Sequence, residues 1–176
     1  IGEAPLDGTK KPGFTTLVLP LFEGVAKAPN RALAGVPRTS SALVKEAISS
    51  DDFSGKSGQS LTIWGGDLRV LLLGMGKSDG LSTKEARDGG ANLVAGLAKS
   101  HGKNLLVRFT TGWRSAAMAA FAEGMILRDY KFDKYLSKDD DDDDDDTPLS
   151  AHFEASDRYT AALSAGCERA SAIAVG

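Results

Sequence analysis

From Ser60 onward the chain alternates short apolar runs with long stretches of helical period, and this constrains its fold more than any other feature. Ser60 to Trp64, Leu68 to Leu73 and Leu105 to Phe109 have strand length. After them, apolar residues recur every three or four positions, which lines them up on one face of a helix. Strands and helices that alternate must stack in layers, because each buries its apolar side against another element. The expected class is α/β, a mixed β-sheet flanked by helices on both faces. Only Gly65-Gly66-Asp67 separates Ser60–Trp64 from Leu68–Leu73, which predicts an antiparallel hairpin.

Ahead of this block, residues 1–14 are rich in Gly, Pro and Lys and read as a loose entry. Thr15 to Phe22 (TTLVLPLF) predicts a first strand, with Pro20 near its end. Glu23 to Arg38 is loop-like, broken by Pro29, Gly35 and Pro37. Thr39 to Ser49 predicts a short helix with Leu43, Ala47 and Ile48 on one face and Ser40 or Ser41 as its cap. Asp51 to Gln59 is turn chemistry. Ser82-Thr83-Lys84-Glu85 is a capping box for a helix expected to reach about Ser100. Its buried stripe is Ala86, Leu93, Val94, Leu97 and Ala98, with Gly89-Gly90 suited to close packing on the sheet. Ser115 to Leu127 predicts a second long helix, and Ala151 to Ala155 a short strand. Asp157 is the expected cap of a last helix, where Tyr159, Ala162, Leu163, Gly166, Ala170, Ile173 and Ala174 recur at helical spacing.

The 176 residues suit one domain. The single Cys167 excludes an intramolecular disulfide and a Cys-based zinc site, and fits a reducing compartment. No apolar stretch approaches the ~18 residues of a membrane span. The chain does not begin with Met, and its last helical pattern meets no stop signal, so a piece of a longer protein is expected. The net charge of −3 includes eight consecutive Asp, Asp139 to Asp146; without them 21 positive residues face 16 negative ones, a net of +5. Such a block repels itself and stays solvated, so residues 137–149 are expected to form a disordered acidic loop. Weak association with Ca²⁺ or Mg²⁺ is conceivable there, but a loose run offers no fixed cage.

The stretch RVLLLGMGKS, Arg69 to Ser78, invites comparison with nucleotide loops. A Walker A loop requires its first Gly at position 71, which is Leu71, inside the apolar run. The dinucleotide pattern G-x-G-x-x-G requires Gly at position 79, which is Asp79, a residue that would repel a pyrophosphate. A strand end, a tight turn and a capped helix account for the segment.

Three segments in order carry a resemblance. They are Asp52 to Gly58 (DFSGKSG), Arg69 to Lys77 (RVLLLGMGK) and Ala122 to Tyr135 (AEGMILRDYKFDKY). Together they resemble the N-terminal domain of the leucyl (cytosol) aminopeptidases, the M17 metallopeptidase family. Glu123, Gly124, Leu127, Tyr130, Phe132, Asp133 and Tyr135 match its pattern A-E-G-x-x-L-x-x-Y-x-F-D-x-Y in register. The resemblance spans about residues 15–176 and implies a macro-domain-like fold, in which the Gly-Met-Gly-Lys turn is not a nucleotide loop. It further implies a parent enzyme of the cytoplasm or of an organellar stroma or matrix, not bound to membrane, that removes N-terminal residues from peptide substrates. That chemistry uses two divalent metals (Zn or Mn) held in a C-terminal catalytic domain around a motif like N-T-D-A-E-G-R. The motif is missing from this chain. By this resemblance the chain's partners are its own catalytic domain and further subunits of a homo-oligomer, a hexamer in the family. No residue here receives a catalytic, cofactor-binding or metal role.

The residues themselves agree. His101 and His152 lie far apart and neither stands in H-E-x-x-H. Glu123, in an apolar helix, is either a buried acid with a shifted pKa or, as buried Glu rarely lacks a partner, paired or wet at a helix edge. Tyr130, Phe132 and Tyr135 alternate with Lys131, Asp133 and Lys134, a pattern able to contact nucleic acid but more simply explained by packing on the core. Lys10, Lys11, Arg31, Arg38, Lys45 and Lys56 are the candidates for a basic patch; some bacterial members of the family bind DNA, yet the Asp run opposes it here. Cys167 suits a small core position. The accessory domain of an aminopeptidase, shaping the oligomer and access to its active sites, is the favoured reading. A macro-like module binding an ADP-ribose-type ligand or nucleic acid is the alternative.

Overall fold

The computed structural model describes residues 14–24, 30–65, 68–97, 104–130 and 149–175. Among these residues five strands form one mixed sheet: β1 (Thr16–Leu21), β2 (Ser60–Gly65), β3 (Leu68–Gly74), β4 (Asn104–Arg108) and β5 (Ser150–Glu154), in the order β2-β3-β1-β4-β5. The β2–β3 hairpin is antiparallel, as its spacing predicts, and the other three pairings are parallel. The described residues also form four α-helices: α1 (Arg38–Ser49), α2 (Thr83–Leu97), α3 (Ser115–Asp129) and α4 (Thr160–Val175). Alternation along β1 separates two cores. Leu17, Leu19 and Leu21 pack with Val44, Ala47 and Ile48 of α1 on one face, while Val18 meets α2, α3 and α4 on the other. β1 is therefore buried on both sides and reads as one continuous apolar run.

Pro20 lies inside this central strand, although proline cannot donate to a ladder. The β1–β4 pairing has already ended at Val18↔Val107, and the Pro20 carbonyl accepts instead from Trp113 Nε1 (3.3 Å). The capping box forms: the Ser82 N–H donates to Glu85 Oε2 (2.8 Å) and the Glu85 N–H to Ser82 Oγ (3.1 Å). Two expected caps do not. Pro37 precedes α1, which places Ser40 and Ser41 within the helix; Ser40 is buried and donates to the Gly65 carbonyl, and Ser41 donates back to Val36. Asp157 is the first residue of a 3₁₀ turn, Asp157–Tyr159, and the polypeptide enters α4 only after it.

Gly89-Gly90 divides its work in a way the spacing does not show. Gly89 lies against the Met75 side chain at the end of β3, but Gly90 lies against the Phe121 backbone of α3, where a Cβ would overlap the Phe121 carbonyl. Gly124 of α3 in turn lies against the Arg87 carbonyl of α2. The two glycines bring the helix backbones together, so Gly90 serves helix-on-helix rather than helix-on-sheet packing.

Candidate functional site

In an open α/β sheet, ligands gather outside the carboxyl ends of the strands where the strand order reverses. Here β3 lies on one side of β1 and β4 on the other, so the reversal falls at β1. The Gly74-Met75-Gly76-Lys77 turn stands at that end. Three of its four backbone donors are spent internally: Gly74 donates to Gln59 (2.7 Å), Met75 to Leu21 (2.9 Å) and Gly76 to Gly55 (2.9 Å). A phosphate loop needs such N–H groups free. Gly74 is required because the Lys56 carbonyl lies against it, and Gly76 because its φ is +73°. The turn is a stitch between β1, β3 and the Asp52–Gly58 segment. Two of the three segments that carry the resemblance are thus packed on each other.

Gln59 organises that stitch. Its Oε1 accepts from the N–H groups of Ser54 (3.0 Å) and Gly55 (3.1 Å), and its Nε2 donates to the Asp52 carbonyl (3.0 Å). Nothing in a lone Gln at the end of a turn marks it as such an anchor.

Between β4, β5 and the loops that follow them lies a crevice of about 260 Å³, lined by Arg108, Gly112, Trp113, Glu154, Arg158 and Tyr159. It is smaller than the ~300–1,000 Å³ of small-molecule sites. Its groups are engaged. Arg108, 4% exposed, donates Nη1 to the carbonyls of Ala32 (2.8 Å) and Ala34 (2.9 Å) and Nε to Glu154 Oε2 (2.9 Å). Trp113 sits among Phe22 (5.2 Å between centroids), Phe109 (4.8 Å) and Phe121 (5.7 Å). The Arg158 guanidinium lies over its neighbour's ring, 4.5 Å from the Tyr159 centroid. The crevice is thus walled by aromatic and ionic groups that already bond one another. An Arg in the apolar run LLVRF is the one sequence signal for it, since a buried guanidinium must find acceptors.

A wider cleft of about 690 Å³ runs along the other side of the domain, between α2 and the β2–β3 hairpin. Trp64, 64% exposed, and Arg69, whose guanidinium stacks over the indole at 4.3 Å, form one end. Glu85 and Asp88 of α2 line the other. Glu85 is held by Ser82, whose backbone and side-chain hydrogen bonds keep its pKa below the ordinary value, and Asp88 pairs with Lys84 (2.7 Å).

Glu123 proves both buried and paired. It is 8% exposed on α3 and receives Arg87 of α2 (2.8 Å) and Arg169 of α4 (2.6 Å). Burial alone would push its carboxyl up, but the hydrogen bonds and charges of the two guanidinium groups outweigh this and hold it below the ordinary value. It is a clamp across three helices with no open face for a substrate. Cys167 is partly buried against the core, and burial pushes its thiol up, which suits an inert packing residue. Tyr130 ends α3 with 48% exposure rather than packing inward, while Phe132, Tyr135, Lys131, Asp133, Lys134 and the Asp run lie outside the described residues. Arg38, Lys45 and Lys56 are exposed; Lys10, Lys11, His101 and the Arg31 side chain also fall outside the description. His152 lies on β5. Among the described residues no three His, Cys, Asp or Glu side chains converge to hold a metal, so the donor set does not suit the metals that the resemblance implies.

The model of the cytosol aminopeptidase family N-terminal domain matches residues 18–139. A probable cytosol aminopeptidase of Protochlamydia amoebophila is 28% identical over 160 residues, covering 88% of this chain and 32% of that protein. Another from Desulfotalea psychrophila is 35% identical over 103 residues, covering 51% and 20%. The chain therefore spans about a third or less of these curated relatives. Among solved structures, a tomato leucine aminopeptidase mutant superposes with a TM-score of 0.68 at 19% identity, over 99% of this chain and 35% of its own. The bottromycin maturation enzyme BotP does so at 0.58 and 20% identity, over 92% and 31%; at such identities the likeness speaks for the fold alone. The family match covers more than half of the chain and includes the two turns stitched together at the carboxyl end of the sheet, and on that match the chain belongs to the cytosol aminopeptidase family as its N-terminal domain.

Proposed function

We propose that this domain is the non-catalytic part of a cytoplasmic aminopeptidase that hydrolyses N-terminal residues from peptides with two divalent metals, Zn or Mn, held in a separate C-terminal domain. There the metals would activate water and polarise the scissile carbonyl. This domain would help assemble a homo-oligomer, a hexamer as in the family, and shape the approach to the active sites. One observation carries the reading: 88% of the chain aligns with about a third of a probable cytosol aminopeptidase. A related structure, BotP, is a complex with Mn. No helix among the described residues is long and apolar enough to cross a membrane. The test is an assay of the purified chain on leucine p-nitroanilide with Mn²⁺ or Zn²⁺. No turnover is expected; activity that persists through purification and co-elutes with the chain would place the chemistry in this domain and defeat the proposal.

A further inference from the structure

We infer that the outer edge of β2 is a self-association seam, across which two copies of this chain join their sheets about a two-fold axis. Among the described residues β2 ends the sheet, and its backbone polarity follows from the hairpin. The Gly74 N–H donates to the Gln59 carbonyl, so in the antiparallel register Leu61, Ile63 and Gly65 also turn their polar groups toward β3. Ser60, Thr62 and Trp64 then present three N–H and three C=O groups outward. Edge strands in natural proteins are commonly blunted by Lys, Pro, a bulge or an inward charge. The sequence SLTIWG has no charge and no proline, and its six residues pair with β3 without a break.

The seam is self-complementary. With Thr62 opposite Thr62 of the second copy, Ser60 falls opposite Trp64 and Leu61 opposite Ile63. All opposed residues then share a face, and the outward groups of Ser60, Thr62 and Trp64 meet their counterparts as hydrogen-bonded pairs. Charge agrees with this pairing. The cleft beside β2 has Arg69 at one end and Glu85 and Asp88 at the other. A two-fold turns the basic end of one copy toward the acidic end of the next, with Lys84 offsetting part of the acidic end. One of the four large apolar side chains exposed among the described residues, Trp64, lies on this strand at the cleft face.

The register makes a sharp test possible. Opposed Thr62 residues would have Cα atoms about 5.5 Å apart, inside the disulfide range of about 4.4–6.8 Å. Two Ser60 residues would stand roughly 14 Å apart, four residues out of register. In a Cys167→Ser background, Thr62→Cys is expected to form a disulfide-linked dimer under mild oxidation, and Ser60→Cys is not. Sedimentation of the unsubstituted chain through a dilution series is expected to show a monomer–dimer equilibrium. Thr62→Pro, which removes the N–H at the axis from an edge where proline is tolerated, should weaken it at least tenfold with circular dichroism unchanged. Should Thr62→Pro unfold the chain, the cysteine pair still decides. A monomer at every concentration, or equal cross-linking by both cysteine variants, would overturn the seam.

Discussion

Glu123 shows how one residue comes to hold three elements. A carboxylate on an apolar helix costs free energy to bury unless cations reach it, and Arg87 and Arg169 arrive from the helices on either side. Both guanidinium side chains remain partly exposed, at 43% and 59%, so water screens the clamp, and Glu123→Gln is expected to cost only about 1 kcal/mol at neutral pH. The pH dependence has a definite sign. The folded pKa lies below the ordinary value of 4.5, so the charged clamp stabilises the fold above that value, and this contribution disappears as pH falls through the folded pKa. Melting temperatures followed downward from neutrality should drop more steeply below pH 4.5 for the chain than for Glu123→Gln. Parallel profiles would mean that Glu123 makes no such contribution.

Among the elements, α2 carries the clearest contrast between local preference and packing. Alanine suits a helix interior better than glycine by about 1 kcal/mol. At Gly96, where nothing lies within 4 Å of an added Cβ, Gly96→Ala is expected to raise stability by up to that amount. At Gly90 the same change drives a methyl group into the α3 backbone, which cannot yield as a flexible side chain would. Gly90→Ala should therefore lower stability by about 1–3 kcal/mol despite its better propensity. Urea denaturation of the two variants measures both signs. A stabilising Gly90→Ala would show that α2 and α3 can move apart at little cost.

At the scale of the molecule, the strand order brings the ends of β1, β3, β4 and β5 to one edge, the place where an α/β sheet usually takes a ligand. In this domain the polar groups at that edge are largely engaged with one another. Three of the four turn donors are bonded to the sheet and to the Asp52–Gly58 segment, Arg108 is bonded to backbone carbonyls and Glu154, and Trp113 fills the centre. Calorimetric titration with ATP, NAD or ADP-ribose is accordingly expected to show no binding in the low micromolar range. Micromolar binding that Gly76→Val abolishes would reopen the ligand-binding reading.

Periodicity and turn chemistry decide what a segment can be. The α/β class, the β2–β3 hairpin, the Ser82–Glu85 capping box and the identity of each long helix follow from local sequence, because these depend on residues within one or two turns of each other. The resemblance was legible for the same reason, as three short motifs in order. The tertiary structure decided whatever depends on distant partners. It placed Pro20 inside a central strand, because β4 had already ended its pairing there. It moved Ser40 from cap to buried helix residue, because the Gly65 carbonyl offered an acceptor. It also settled what Gly90, Gln59 and Glu123 touch. For Gly90 and Glu123 these partners lie some thirty residues or more away along the chain, and for Gln59 they lie across a turn whose path no local period specifies.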